Sequence, residues 1–278
     1  MTLRYDLHSH STRSDGLLSP ADVVRRAAAR GVEVLALTDH DELAGLAEAA
    51  DAAAAAGIGF VAGSELSASW EDITVHVVAL RIDPEHPGLV AGLASIRDGR
   101  RGRARRIGEA LADAGVPDAY EGALRYVTSE GLVSRTHFAR YLVETGHVRA
   151  MGDVFKRYLA RGKPGYVSHQ WASLPQAVGW IHAAGGVAVL AHPGRYAVDG
   201  EHGMKRLLGD FDDAGGDALE VLSSSHDAAQ AERFAAHARV HGFAASAGSD
   251  FHGPGESRLD LGELPELPSG VEPVWARW

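Results

Sequence analysis

The sequence predicts an α/β fold, a distorted (β/α)7 barrel with a helical insertion between strands 4 and 5. Seven short apolar runs rich in β-branched residues indicate buried strands, and helical patterns separate most of them. Such alternation is typical of a mostly parallel sheet, which forms either a barrel or an open doubly wound sheet. Polar side chains gather at the carboxyl ends of the runs, where an α/β barrel carries its active site, and this favours the barrel.

The predicted strands and helices follow one another along the chain. The strand-like runs are LRYDLHSH, VEVLALTDHD, GFVAGSELSA, ITVHVVALRI, GVAVLAHPGR, ALEVLSSS and FAASAGSDFHG. After the first run, Ser19 is a helix cap followed by Pro20, and Gly31 ends the helix. Ser173 caps an equivalent helix before the fifth run, and residues 227–242 predict a helix before the last.

The alternation of strands and helices is interrupted between the fourth and fifth runs. Residues 88–165 contain helical patterns and no convincing strand, so we expect an insertion that caps the barrel mouth and binds substrate. A helical elaboration with no role in binding is the alternative. The barrel domain would then comprise residues 1–87 and 166–278, with an irregular tail after Pro254.

Composition limits the classes of function and ligand. The 278 residues include no cysteine, so disulfides and zinc–thiolate sites are excluded and any metal must be bound by His, Asp or Glu. The net charge of −10 argues against non-specific binding to long nucleic acid. No apolar run reaches 18 residues and no signal peptide is recognisable, so we expect a cytoplasmic protein without a membrane span. The basic run RDGRRGRARR is interpreted as a solvated helix face.

Six of the seven strand-like runs carry a side chain that can bind a metal, mostly at the carboxyl end. Residues two apart on a strand face the same side, so His8 pairs with His10 and Asp250 with His252. A buried carboxylate at Glu65 would be costly without a cation partner. Each side chain alone has an ordinary structural explanation, but together they predict a metal cluster, whose further members are His40, His76 and His192.

These motifs resemble those of one enzyme family. HSHSTRSDG, LTDHD, AGSELSA, VH, AHPGR and SDFHG occur in the same order as in the PHP (polymerase and histidinol phosphatase) family of metal-dependent phosphoesterases. The resemblance implies a seven-stranded barrel with two or three divalent metal ions at its mouth. Manganese is the first expectation, and zinc, iron and magnesium are the alternatives.

The same resemblance implies how the ligands are divided. One metal would be bound by His8, His10, Glu65 and Asp250; a second, bridged by Glu65, by His76 and His192; and a third by Asp15, His40 and His252. Asp39 either orients His40 or faces solvent, and the sequence leaves both open.

A multi-metal centre suits the hydrolysis of phosphate esters. It generates hydroxide at neutral pH and neutralises charge on the phosphoryl group, so we expect in-line attack by metal-activated hydroxide without a covalent intermediate. The sequence contains no GxSxG elbow and no Walker loop. Asp250, His192 and His252 are the candidate catalytic residues, and either a metal-bound water or an imidazole would protonate the leaving oxygen.

The remaining charges of a phosphorylated substrate need partners from the protein. Guanidinium groups and helix N-termini bind phosphate well. The candidates are Ser134, Arg135 and His137 at the start of an insertion helix, Lys163 where the insertion rejoins the barrel, and Arg195 after His192. The alternative is that they are ordinary surface charges.

One subgroup of the family is especially similar. SRTHFARYLVETG, GKPGYV and IHAAGGVAVLAHPGR resemble segments of the 3′,5′-nucleoside bisphosphate phosphatases and related 5′–3′ exoribonucleases. The resemblance implies removal of the 3′-phosphate from pAp to give AMP, and trimming of short 5′-phosphorylated RNA. A histidinol-phosphate-type phosphatase and a cyclic phosphodiesterase are alternatives. A non-catalytic metal-binding PHP module is an alternative of another class, and the complete set of nine ligands argues against it.

Overall fold

A single curved sheet organises the fold in the computed structural model, which describes residues 4–127 and 131–278. Its strands run in the order β1-β2-β3-β4-β6-β7-β8, and β5 pairs with β3 outside this path. The strands are β1 (Tyr5–Asp6), β2 (Val34–Leu37), β3 (Gly59–Trp70), β4 (Ile73–Leu80), β5 (Ala172–Ser173), β6 (Val187–Leu190), β7 (Ala218–Ser223) and β8 (Ala244–Gly248).

The sheet curls into a nearly closed barrel. Strand β4 is antiparallel to both β3 and β6, and the remaining pairs are parallel. At the seam between the first and last strands, the amide of Leu7 donates to the carbonyl of Ala247 across 2.9 Å, and that of Asp250 to His8 across 2.8 Å. The predicted barrel with a helical insertion is therefore confirmed. The two-residue strand β5 was not predicted.

Nine α-helices are present within the described ranges. They are α1 (Pro20–Ala29), α2 (Leu46–Ala56), α3 (Pro87–Asp113), α4 (Ala119–Leu124), α5 (Arg135–Glu144), α6 (Met151–Val154), α7 (Leu174–Ala183), α8 (Gly200–Asp213) and α9 (Ala228–His241). A π-helical turn, Phe155–Leu159, continues α6, and short 3-10 turns form at Pro193–Arg195 and Val274–Arg277.

Local sequence signals set several of these helix ends. As predicted, the Ser19 and Ser173 hydroxyls cap α1 and α7, accepting hydrogen bonds from the amides of Asp22 and Gln176 at 3.1 and 3.4 Å. Helix α8 was not predicted. Asp199 stands at its N-cap and Glu201 in its first turn, but the helix begins on a glycine and the Asp199 side chain makes no capping hydrogen bond, so its start signals are weak.

The helices between β4 and β5 bury an apolar cluster of their own. Its largest side chains include Ile107, Leu111, Phe138 and Leu142, from α3 and α5. The start of α3 instead contributes Leu89 and Leu93 to the main barrel core, so this 27-residue helix spans both clusters. The predicted division into a barrel domain and a cap at residues 88–165 stays a prediction.

Candidate metal centre and substrate cavity

The carboxyl ends of the strands bring the predicted ligands to one place. His8 and His10 follow β1, His40 follows β2, His192 follows β6, and Asp250 and His252 follow β8, whereas Glu65 and His76 lie within β3 and β4. An isolated bridge pairs His40 with Glu65, and another pairs Ser9 with Phe251 across the barrel seam. Residues up to 244 positions apart in sequence therefore share one polar cluster at the barrel mouth.

The fully buried carboxylate of Glu65 is the centre of this cluster. Its Oε1 lies 2.7 Å from His76 Nδ1 and 2.9 Å from His192 Nε2. Its Oε2 lies 3.3 Å from the Nε2 atoms of both His8 and His10. His40 Nδ1 is 2.9 Å from the same oxygen. Five imidazoles thus surround one carboxylate, which is the arrangement expected of a group shared between cations.

Three groups of side chains have donor atoms close enough to hold a metal. They are His8, His10, Glu65 and Asp250; His10, Asp15, His40 and His252; and His40, Glu65 and His76. The first group has the same members as the first predicted site. The second group adds His10 to the predicted third site. In the last group His40 takes the place expected for His192, so the division of ligands among the metals stays a prediction.

The donor atoms fit divalent ions. Glu65 Oε2 and Asp15 Oδ1 are buried and, among the described residues, make no hydrogen bond of acceptable geometry. Imidazole nitrogens nevertheless lie 3.3 Å from each of these oxygens. Buried carboxylate oxygens are almost always hydrogen-bonded unless an ion coordinates them. Imidazole nitrogen together with carboxylate oxygen is a donor set suited to manganese, iron or zinc.

Electrostatics keeps the carboxylates of the centre ionised. Burial alone would raise the pKa of Glu65, but the charges of His40 and then His76 hold it well below its ordinary value. Burial also opposes ionisation of Asp250, but the charges of Arg195, His8 and His252 together outweigh it, so the pKa of Asp250 is likewise well below normal. Ionised carboxylates are the form that binds metal.

The imidazoles respond to burial in different ways. Desolvation lowers the pKa of His192 to about 4, so this ring is neutral at pH 7 and free to act as a ligand. For His10, desolvation is outweighed by the hydrogen bond to Asp250 and by the nearby carboxylate of Glu65, which raise its pKa to about 10. In the metal-free protein a proton on His10 therefore balances the acids, and metal binding would displace that proton.

One buried acid that orients the cluster, Glu220, is not among the predicted ligands. Glu220, buried in β7, places Oε1 2.9 Å from His8 Nδ1 and accepts from the His192 amide across 2.5 Å. Its sequence signal was a single charged residue in the apolar run ALEVLSSS. Gly248 leaves room for this contact, because a Cβ there would lie 2.2 Å from the Cβ of His8.

Asp39 neither orients His40 nor faces solvent, contrary to both expectations. It is buried and accepts hydrogen bonds from the Ser11 amide at 2.7 Å, the Ser11 hydroxyl at 2.6 Å and the Ser14 hydroxyl at 2.5 Å. It therefore fixes the loop after β1, which carries Asp15 into the cluster.

Non-glycine residues adopt left-handed backbone conformations at the mouth of the barrel. The φ angles of Asp41, His192 and Asp250 are 50°, 29° and 53°. Each such residue costs about 1–3 kcal/mol, and strain of this kind concentrates at functional sites. Two of these strained residues, His192 and Asp250, are predicted ligands, and both line the same cavity.

The cluster lines a cavity that is lined mainly by the insertion elsewhere. Arg100 and Arg103 of α3, Ser134 and Arg135 at the start of α5, and the rings of Phe155 and Trp171 also line it. The cavity therefore combines carboxylate and imidazole groups with several arginines.

The structure brings some predicted substrate-binding residues to this cavity. Arg135 lines it and is partly buried. Arg195 lines it too, with its guanidinium 2.5 Å from Asp250 Oδ2 and 43% of its side chain exposed. Ser134 lines it but is engaged: it accepts from the Thr136 amide at 3.1 Å and donates to Asp15 Oδ2 at 2.8 Å.

Two further predicted residues do not line the cavity in the described part of the chain. His137 is fully buried, and its Nδ1 accepts from the Ser134 amide across 3.0 Å, which completes the capping box of α5. Lys163 is exposed in the turn after the π-helical segment.

The interpretation of RDGRRGRARR as a solvated helix face is wrong for two of its arginines. Arg100 and Arg103 are 5% and 7% exposed and point into the cavity. Arg100 binds the carboxylate of Asp41 with Nε at 2.7 Å, and a second nitrogen donates to Ser67 Oγ at 2.7 Å. The available signal was their i, i+3 spacing, which places both on one helix face.

Comparison with known proteins decides the family. The model of the PHP domain family matches residues 6–160, more than half of the chain. The chain belongs to the PHP family. This PHP protein is 55% identical over 270 residues to a 3′,5′-nucleoside bisphosphate phosphatase of Chromobacterium violaceum, covering 97% of this chain and 94% of that protein. It is 46% identical over 276 residues to the 5′-3′ exoribonuclease Rnm of Escherichia coli, covering 99% and 93%.

A solved structure shares the fold of this PHP protein along nearly its whole length. It is described as an amidohydrolase from Chromobacterium violaceum with bound sulfate and no metal, and it matches with a TM-score of 0.95 and 54% identity over 99% of this chain and 95% of that one. The family and subgroup predicted from the motifs are therefore confirmed. Among the described helices of this PHP protein, none combines the length and apolarity that crossing a membrane requires.

Proposed function

We propose that this PHP protein hydrolyses the 3′-phosphate of nucleoside 3′,5′-bisphosphates, converting pAp to AMP, and also acts on short 5′-phosphorylated RNA. One observation carries the proposal: a single cavity is lined both by a carboxylate–imidazole cluster and by several arginines. Such a cavity suits a substrate with two phosphates, one to be cleaved and one to be held. The names of the phosphatase and exoribonuclease relatives support the same substrate class.

We further propose that the cluster holds two or three divalent ions, with manganese the first expectation. Their ligands would be the nine predicted residues, His8, His10, Asp15, His40, Glu65, His76, His192, Asp250 and His252. When bound, such ions activate water and neutralise charge on the phosphoryl group. Asp250, His192 and His252 line the cavity and are the proposed catalytic residues.

The arginines are proposed to hold the two phosphates apart. Arg195 lies beside Asp250, and its exposed guanidinium can bind the reacting phosphate through two parallel hydrogen bonds. Arg135 is at the first position of α5, where the helix N-terminus also favours an anion, so it would bind the 5′-phosphate. Ser134 serves this site by holding Asp15 and capping α5.

The aromatic side chains of the cavity suit a nucleoside. The rings of Phe155 and Trp171 are among its lining residues, and an aromatic ring stacks on any base without reading its identity. We therefore expect little discrimination among bases. Histidinol phosphate and a cyclic phosphodiester each lack a second phosphate monoester and would leave Arg135 without a partner, so we place them below the bisphosphates.

A phosphate-release screen with manganese-loaded protein tests the proposal. The substrates are pAp, 3′-AMP, 5′-AMP, histidinol phosphate, a cyclic phosphodiester and a short 5′-phosphorylated RNA. We expect pAp to have the highest kcat/KM, with AMP as the product. Good turnover of histidinol phosphate with no turnover of pAp or RNA would overturn the assignment. Absence of turnover on every substrate, with metal bound, would favour the non-catalytic module.

The Arg135→Ala variant tests the proposed division of roles. It should raise KM for pAp while metal content stays unchanged, because Arg135 contacts no member of the cluster in the structure's described hydrogen bonds and ion pairs. Lys163→Ala is the matched control, since that cation is exposed outside the cavity. If Arg135→Ala instead strips the metals, Arg135 has a structural role and does not bind phosphate.

A further inference from the structure

We propose that Arg103 is a specificity-determining residue, which binds the phosphate monoester that is not cleaved and so selects bisphosphates over nucleoside 3′-monophosphates. The inference rests on the proposed function, and it adds a residue from α3 to a site so far built on α5. It depends on three features of Arg103, which is one of six arginines in the basic run. These are the direction of its side chain, its burial and the absence of an ion pair with a carboxylate among the described residues.

The direction of Arg103 follows from helix geometry. Residues three apart lie on the same face of a helix, and Arg100 and Arg103 both line the cavity from α3. Arg101, Arg105 and Arg106 on the same helix are exposed. Arg97 is partly buried and donates to the Asp41 carbonyl, so Arg100 and Arg103 are the two arginines of the basic run that line the cavity.

The two inward arginines differ in how their charge is balanced. Arg100 is paired with the buried carboxylate of Asp41, so it is neutralised within the protein. No ion pair joins Arg103 to a carboxylate in residues 4–127 or 131–278, and its one hydrogen bond is from Nε to the Val167 carbonyl at 3.0 Å. Its two terminal nitrogens are left to bind a ligand, and guanidinium nitrogens bind phosphate oxygens in pairs.

The surroundings of Arg103 add positive charge. Burial, followed by the charges of Arg135 and Arg100, lowers its pKa to about 9. A buried cation without a partner is unfavourable, and a second cation lining the same cavity makes it more so. A phosphate dianion between Arg103 and Arg135 would relieve both effects.

Trp171 fixes the side chain of Arg103 in this position. The guanidinium carbon of Arg103 lies 5.5 Å from the centre of the indole ring, and that of Arg100 lies 5.1 Å from it. A cation held over an aromatic face keeps its planar fork ordered, so less entropy is lost when a phosphate binds. Arg103 is therefore preorganised for an anion.

Three variants of the metal-loaded enzyme test the proposal. Arg103→Gln should lower kcat/KM for a nucleoside 3′,5′-bisphosphate by about 10- to 100-fold, mainly through KM, as expected for loss of a charge-assisted contact. With a nucleoside 3′-monophosphate the same variant should change kcat/KM by less than about threefold. Arg103→Lys should recover part of the loss, and Arg105→Gln, on the exposed side of α3, should change neither value. Equal losses on both substrates, or no loss on either, would overturn the proposal.

A binding measurement separates this inference from the proposed reaction. Calorimetry of metal-loaded protein with 5′-AMP and with adenosine requires no turnover. We expect Arg103→Gln to weaken 5′-AMP binding about 10-fold or more relative to adenosine. If wild-type protein cleaves no bisphosphate but this selective loss remains, the reaction is misassigned and the role of Arg103 stands. If binding of 5′-AMP is unchanged, the role of Arg103 is wrong whatever the reaction.

Discussion

The hydroxyl of Ser134 donates a hydrogen bond to Oδ2 of Asp15 across 2.8 Å. This contact joins the first turn of α5 to the loop that carries a predicted metal ligand. Arg140, one turn further along α5, donates to the Asp15 carbonyl at 2.6 Å and pairs with Glu256 in the tail. Helix α5, the loop after β1 and the tail are therefore connected through Asp15, and we expect changes in α5 to alter the predicted metal site.

Replacing Ser134 with alanine tests this connection. Loss of the N-cap should lower the free energy of unfolding by about 1 kcal/mol. Loss of the bond to Asp15 should also weaken metal binding by about 10-fold, as is usual when a ligand loses the group that orients it. Ser173→Ala is the matched control, because Ser173 caps α7 with the same kind of capping box. Unfolding in urea should show similar losses for both variants, and identical metal titrations would contradict the connection.

Glu220→Gln should reduce metal affinity without unfolding the protein. The carboxylate lies 2.9 Å from His8 Nδ1 and accepts from the His192 amide, so it fixes two predicted ligands. An amide cannot accept at both positions, and we expect affinity to fall about 10- to 100-fold. Metal titration by calorimetry gives the value, with the exposed Glu232→Gln as control. Unchanged affinity would mean that the histidines hold their orientation without Glu220.

Arg100→Met should destabilise the protein strongly. The change leaves Asp41 buried without its cation, and breaking a buried ion pair from one side costs about 3–5 kcal/mol. Arg105→Met, on the exposed face of the same helix, should change the free energy of unfolding by less than about 0.5 kcal/mol. Urea denaturation of both variants measures the difference. A loss below about 1 kcal/mol for Arg100→Met would show that the pair contributes little.

Asp6 should make the stability of the metal-free protein depend on pH. Burial raises the pKa of its carboxyl from 3.8 to about 7. The folded state therefore keeps a proton that the unfolded state releases, and stability falls as pH rises from about 4 to about 7, with no further loss above that range. At 1.36 kcal/mol per unit, the fall amounts to about 4 kcal/mol.

The Asp6→Asn variant removes this group from the pH profile. We measure the free energy of unfolding in the presence of a chelator. The difference between Asp6→Asn and wild type should increase in favour of the variant from pH 4.5 to pH 8, because the amide does not ionise. Asp113→Asn, at an exposed site on α3, should run parallel to wild type. A constant difference between Asp6→Asn and wild type at every pH would mean that Asp6 is ionised when folded.

Much of the site could be predicted because its signals are local. The runs that form strands are apolar and end in imidazoles or acids, so chain order and the alternation of faces were enough to group His8 with His10 and Asp250 with His252. The helix N-caps at Ser19, Ser134 and Ser173 are likewise local, because each serine bonds a backbone amide in the first turn of its own helix.

The features that were missed depend on contacts distant in sequence. Arg100 meets Asp41, 59 positions away, and Glu220 meets His8, 212 positions away. The local signals, a shared helix face for Arg100 and a single charge in an apolar run for Glu220, do not identify these distant partners. Asp39 was misjudged for the same reason, because the loop it fixes folds back from the preceding strand.

The seam of the barrel has a consequence for how the protein is made. His10 Nε2 lies 3.1 Å from Asp250 Oδ1, and the two residues are 240 positions apart. At roughly 5–20 residues per second, a ribosome takes on the order of 10–50 s to go from one to the other. The imidazoles at the start of the chain therefore lack this partner until the last strand has been synthesised. Binding of ions by the whole predicted cluster would follow the synthesis of that strand.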